Sequence, residues 1–166
     1  MIRGCTRSLD ELFRQRVIAQ FRLGEHSAHF VDHWDRVAAY GAFVGASCGA
    51  DLEVVRLFAL LHDSQRFEED YDPEHGPRAA RFAEHYCGKA FLLTPKQLKL
   101  LMEACHDHDR GRTHKDRTIG SCWDADRLDL DRVGVSCDPY FMSTAEGKRL
   151  ALRRPWDRQK EVGLVS

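Results

Sequence analysis

Long apolar runs are missing from this 166-residue chain, so no segment offers the roughly 20 consecutive apolar residues of a membrane-spanning helix. The opening stretch "MIRGCTRSLDELF" has no apolar centre of the kind a signal peptide carries. Six cysteines at 5, 48, 87, 105, 122 and 137 include no CxxC pair. Thiols scattered in this way fit small, often buried residues in a reduced compartment, and the expected location is cytoplasmic. An excess of either charge is also missing. Lys and Arg number 25 against 26 Asp and Glu, and a formal net charge of −1 provides no global steering toward nucleic acid or an anionic membrane. Strand-like alternation, a glycine-rich strand-to-helix turn, internal repeats, low-complexity tracts and linkers are absent as well. What remains is a composition of 43% apolar and 31% charged residues, ordinary for one folded domain with a real core.

Helix signals fill the chain. Ser8-Leu9-Asp10-Glu11 reads as a capping box, with an apolar stripe of Leu9, Leu12, Phe13, Val17 and Phe21 behind it. A second helix is expected from about Ser27 to Cys48, where Gly41 and Gly45 permit close packing. Asp51 can cap a third, "LEVVRLFALLHD", apolar enough to be central. Pro77 suits the first turn of a fourth helix that Gly88 closes. Thr94-Pro95-Lys96-Gln97 forms a capping box for a fifth helix. A sixth should cover roughly Asp116 to Val133, and a seventh should follow Thr144. The expected fold class is all-α, a single helical bundle of six to seven helices over 1–166, with residues 135–166 as a peripheral helix and tail.

Nine histidines give the chain its chemical character. His26, His29 and His33 fall at i, i+3 and i+7 of the second expected helix. His62-Asp63 ends the third, His75 precedes the fourth, and His106-Asp107-His108 ends the fifth. "DADRLDL", residues 124–130, lies in the sixth. Imidazole and carboxylate together suit iron, manganese, nickel or zinc without selecting one. Facing helices of a bundle are a common place for such ligands to converge. Each piece alone is weak, because a lone histidine or an isolated His-Asp dipeptide is commonplace. Adjacent helical side chains diverge by about 100°, so His62 can face one ion while Asp63 turns toward a second.

The order of the pieces is more specific. "HWDRV", "LLHDSQR", "EHGPRAA", "ACHDHDRG" and "DADRLDL" together resemble the HD-domain superfamily of metal-dependent phosphohydrolases, whose pattern is H…HD…D on an all-helical bundle. The likeness spans about residues 26–132. Gln65 stands where glycine is common in that family's LLHD-x-G segment, a departure that bears on local backbone more than on ligands. The resemblance implies a divalent transition metal, one or two ions, held by His33, His62, Asp63 and Asp126. His33 is preferred over His26 and His29 because Arg36-Val37 follows it. Asp126 is preferred over Asp124 because Arg127-Leu128 follows it. His75 and His106 match positions that supply a second metal in two-metal relatives. "HDHDRG" is also similar to a segment of the cyclic-dinucleotide phosphodiesterase branch, but the companion GYP signature is missing.

The implied activity is hydrolysis of a small phosphorylated metabolite, such as a nucleotide, by metal-activated water. Asp63 and Arg66 are the expected catalytic residues, Asp63 as the carboxylate that positions water and Arg66 as the group that holds phosphate. Arg66 and Arg36, each about one turn past a ligand histidine, together with Arg110 and Arg112 in "RGRTHKDR", are candidate phosphate-binding groups. Pairing with nearby carboxylates is an equal alternative for Arg36 and Arg66, and a solvated loop is the simpler reading of 110–117. Without an interleaved aromatic residue, that loop carries no strong nucleic-acid signal. Five of the seven residues from Glu68 to Glu74 are acidic, with Glu68 and Asp72 the candidates for supporting the site. Trp123 is the aromatic residue most suited to a substrate role. Two other readings stay open: a diiron oxygenase of the same superfamily, and a non-catalytic metal or nucleotide sensor.

Overall fold

The computed structural model describes the backbone from residue 5 and side chains from residue 10, through to residue 166. Among the described residues eight α-helices follow in order: α1 (Cys5–Ala19), α2 (Val31–Cys48), α3 (Leu52–Leu61), α4 (His75–Tyr86), α5 (Pro95–Asp107), α6 (Arg117–Arg127), α7 (Ala145–Ala151) and α8 (Pro155–Glu161). Two 3₁₀ turns, Leu130–Val133 and Pro139–Phe141, separate α6 from α7. Among the described residues the only extended pairing is an isolated bridge between Cys87 and Phe91. None of the described helices is long and apolar enough to cross a membrane.

Helix α3 is the hub, packed against α2, α5 and α6. Every residue from Val54 to Leu61 except Arg56 is buried, as its nearly continuous apolar run requires. It meets the stripe Trp34, Val37, Tyr40 and Val44 of α2. A Cβ added at Gly41 would lie 2.6 Å from Val55 Cγ1, and one at Gly45 would lie 2.9 Å from Leu52 Cδ2. These glycines therefore set how closely α2 approaches α3. Truncating Phe58 in this centre should cost about 3–5 kcal/mol.

Gly76 does similar work beside the candidate site. A Cβ there would lie 2.6 Å from the carbonyl oxygen of Cys105 and 2.7 Å from that of His106. The start of α4 thus rests directly on the backbone of the last turn of α5.

Several caps are as expected. The Asp51 carboxylate accepts from the Glu53 and Val54 amides, and Thr94 with Gln97 forms the reciprocal capping box. Other boundaries differ. Helix α1 begins at Cys5, so Ser8 lies within it, and the Ser8 side chain is outside the described residues. Helix α2 begins at Val31, not near Ser27. The preceding turns are held by a distant group: Glu69 Oε1 accepts from the Ala28 amide at 2.8 Å and from Ser27 Oγ at 3.2 Å. His26 and His29 consequently do not share a helical face with His33. Helix α6 ends at Arg127, and Gly134, with φ of +77°, closes the 3₁₀ turn after it. Helix α7 follows Thr144 as expected, whereas α8, opened by Pro155, is an addition.

Candidate metal centre

Four histidines converge where the ends of α3 and α5 meet α2, α4 and α6. Each has its Nδ1 committed to an oxygen that can only accept. His33 Nδ1 donates to Asp129 Oδ2 at 2.8 Å, and His62 Nδ1 to the Phe58 carbonyl at 3.1 Å. His75 Nδ1 donates to the Asp72 carbonyl at 2.5 Å, and His108 Nδ1 to the Cys105 carbonyl at 2.7 Å. The tautomers follow: each Nδ1 carries a proton, and each Nε2 presents a lone pair inward. His33 Nε2 lies 3.0 Å from His62 Nε2, and His75 Nε2 lies 2.9 Å from His108 Nε2. Two lone pairs at such distances, in rings with no more than 1–3% exposure, repel unless a cation lies beside them. The donor chemistry therefore fits a metal site.

Asp63 joins the two histidine pairs. Its Oδ2 lies 3.6 Å from His33 Nε2 and 3.7 Å from His62 Nε2. Its Oδ1 lies 3.3 Å from His75 Nε2 and 3.4 Å from His108 Nε2. Asp126 faces the first pair, with Oδ1 3.3 Å from His33 Nε2 and 3.6 Å from His62 Nε2. Two triads, His33–His62–Asp126 and His62–Asp63–His108, have ligand atoms within 4.8 Å of one another. The divergence of adjacent helical residues is what lets His62 and Asp63 serve different directions.

The electrostatics are those of carboxylates among imidazoles. Burial alone would raise the carboxyl of Asp63, but the imidazoles around it, His62 first and then His108, His29 and His75, hold it well below the usual range. Burial opposes ionisation of Asp126 too, and His33 and His62 hold it well below the usual range. Burial pushes His62 down, whereas Asp126 and Asp129 outweigh burial and raise His33. His108 is raised by Asp63 against the same burial.

The expected residues separate into those at this centre and those elsewhere. His33, His62, Asp63, His75 and Asp126 are at the centre. His106 is not: its half-exposed ring points away, with Nδ1 2.8 Å from Asp107 Oδ1. His108 occupies that place instead. The signal was present, because Leu101, Ala104, Cys105 and His108 are spaced i, i+3, i+4 and i+7 on one buried stripe, and His106 falls off it. Asp124 also turns away, accepting from the Ser143 and Thr144 amides at 2.6 and 2.8 Å to anchor the start of α7.

Among the candidate phosphate-binding arginines, Arg66 alone lines the cleft above the centre. Its Nε donates to Asp63 Oδ1 at 3.0 Å, and its Nη1 is buried without a partner. Arg36 lies behind the site, its Nε 2.7 Å from Asp129 Oδ1, and so steadies the carboxylate that orients His33. Arg110 pairs with Asp107 at 2.9 Å, and Arg112 is exposed; from 110–117 only Gly111 lines the cleft. Trp123 is a core residue with Nε1 donating to the Ala104 carbonyl at 2.9 Å, which removes it as a substrate platform. Asp72 supports the site through its carbonyl, and its carboxylate pairs with Arg78; Glu68 is exposed.

Other residues of the site went unassigned from sequence. His29 Nδ1 lies 2.7 Å from Asp63 Oδ2 at the cleft floor. Arg132 lines the cleft while its Nε donates to the Ala28 carbonyl at 2.9 Å. The cleft, about 570 Å³, is walled by residues 130–142, a stretch expected to be largely peripheral.

Comparison with known proteins gives one structural match. No protein-family model matches the chain, and no curated protein sequence matches it. A crystal structure of a predicted HD superfamily hydrolase from an uncultured Thermotogales bacterium is 24% identical, over 94% of this chain and 86% of that one, with a TM-score of 0.67. At that identity the likeness concerns the fold. With the H…HD…D residues gathered at the meeting point of its helices, this chain has the HD-domain fold.

Proposed function

We propose that this protein is a metal-dependent phosphohydrolase acting on a small phosphorylated metabolite, with nucleotides the first class to examine. The observation that supports this most is Asp63, whose two oxygens face separate histidine pairs at the floor of a cleft that Arg66 also lines. His33, His62, Asp63 and Asp126 would hold one divalent ion, and Asp63, His75 and His108 a second. Such ions acidify water and neutralise developing charge on a phosphoryl group.

The side chains of the chain do the rest. Asp63 fixes the relation of the two halves, and its low proton affinity keeps it available as an acceptor toward water. His29 holds Asp63 Oδ2 from the cleft side. Arg66 is anchored through Nε and lines the cleft, so its guanidinium would meet a phosphoryl oxygen at little further entropic cost. Asp129, with Arg36 behind it, locks the His33 ring in the orientation that keeps Nε2 inward.

The test is metal analysis of protein purified without added metal, alongside phosphate release from a panel of phosphomonoesters and phosphoanhydrides. Metal-dependent release that chelation abolishes supports the reading. Protein that holds metal yet releases no phosphate across the panel overturns it. One observation favours a second reading: five side chains, His33, His62, His75, His108 and Asp126, gather around the shared Asp63 carboxylate, a set of six that would also suit a diiron oxygenase. Two irons per chain with oxygen uptake on an organic substrate would select that reading.

A further inference from the structure

The cleft above Asp63 has two chemically different kinds of lining. At the floor are Asp63, Asp126 and His108, with Arg66 also lining the cleft and held to Asp63 through Nε. The lining also carries five apolar side chains, Leu130, Val133, Val135, Phe141 and Met142, with Arg132, Ser136 and Asp138 between them. Three of these are large side chains left substantially in water: Val133 is 46% exposed, Val135 49% and Phe141 41%. Apolar residues exposed singly are ordinary, but here they line the same concave site as the Asp63 cluster.

The wall is also held in place. Arg127 Nη1 donates to the Phe141 carbonyl at 3.0 Å. Arg158 reaches from α8 to donate to the Leu128 carbonyl at 3.1 Å and pairs with Asp131. Arg132 ties the 3₁₀ turn to the Ala28 carbonyl. Tied at three points by Arg127, Arg158 and Arg132, this stretch resists collapse over its apolar side chains. An inorganic phosphate at the floor would leave that face in water.

We infer that the substrate is a phosphate ester whose leaving group carries an aromatic or similarly broad apolar face, seated against Val133, Val135 and Phe141 while its phosphoryl group lies at Asp63 and Arg66. This rests on the phosphohydrolase reading and narrows it, since small polar phosphates would leave the wall unused. The wall residues are specificity determinants that touch the leaving group and take no part in bond breaking.

Binding of two non-hydrolysable probes tests this without relying on turnover. Phenylphosphonate and methylphosphonate carry the same head group and differ in the apolar face. With the full chain supplied with manganese, calorimetry should show phenylphosphonate binding at least about tenfold more tightly, the scale expected from partial burial of one ring. Val135→Ser and Phe141→Ala, separately and together, should bring that ratio down toward unity. Both substituted positions are substantially exposed, so helical circular dichroism should match the unsubstituted chain. Equal binding of the two probes by the unsubstituted chain, or an unchanged ratio in the double variant, overturns the inference and leaves the phosphohydrolase reading standing. Failure of both probes to bind counts against the phosphoryl site at the floor, and so against both.

Discussion

The two halves of the metal centre are built from the same side chain but are supported differently. In the half formed by His33, His62 and Asp126, one imidazole is backed by a carboxylate, Asp129, which is itself held by Arg36. In the half formed by His75 and His108, both imidazoles are backed by neutral backbone carbonyls. A carboxylate behind a histidine raises its basicity as a ligand more than a carbonyl does. The first half also has a carboxylate of its own, whereas the second has only a share of Asp63. The comparison predicts that, with ions bound, the two halves would differ, the first holding its ion more tightly than the second.

The largest effect should come from removing what the halves share. Asp63→Ala takes an oxygen from each, so metal content should fall toward zero and activity by about 10³-fold or more, with the helical signal largely retained. Full metal content in this variant would dissolve the two-half description altogether.

His108→Ala should next remove about one ion of two, leaving the His33 half loaded. His106→Ala should leave stoichiometry unchanged, because that ring lies at the surface beside Asp107. Elemental analysis of the two variants side by side sharpens the comparison, and a loss confined to His106→Ala would reverse the assignment. Asp129→Asn should act on the tight half alone, weakening its metal affinity about 10–100-fold without touching the second ion. A competition titration with a chelator reads that difference directly. Equal weakening of both ions would show that Asp129 supports the site as a whole.

The two halves were not equally legible in the sequence. The tight half is spelled out by spacing and local order: His33 sits before Arg36-Val37, and His62-Asp63 ends an apolar helix capped by Asp51. For the second half the sequence pointed to His106, whereas the structure brings His108 to the cluster; both satisfy a short motif, and only the buried stripe of α5 separates them. Where sequence failed further, the cause was long-range. Glu69 holds the turns before α2, 41 residues away from Ala28, and so removes His29 from the helix to which periodicity assigned it. Arg132 and the apolar wall follow the end of α6, which local propensity carried six residues too far. Asp129 turns inward there to His33 and Arg36, tertiary partners that no local window contains.

The smallest effect concerns the segment that presents His75 to the second half. Asp72 offers its carbonyl to His75 Nδ1, while its carboxylate accepts from the Phe67 amide at 2.7 Å and pairs with Arg78. Burial would raise that carboxyl, but Arg78 and the Phe67 amide overcome it and bring its pKa down to about 2. Because the folded value lies below the unfolded one of about 3.9, the group adds stability above the unfolded value, and that stability is lost as pH falls through the folded value. A difference of roughly two units corresponds to about 2–3 kcal/mol at neutral pH. Asp72→Asn should therefore unfold at lower urea than the unsubstituted chain at pH 7, both measured free of metal. By pH 3 the gap should shrink to about half, since much of the unfolded-state carboxyl is then protonated. The variant should also lose the second ion more readily than the first, because the loosened segment carries His75 and not His33. A gap constant from pH 7 to pH 3 would mean that Asp72 acts by shape rather than charge, and the second half would then owe its position to Gly76 against α5 alone.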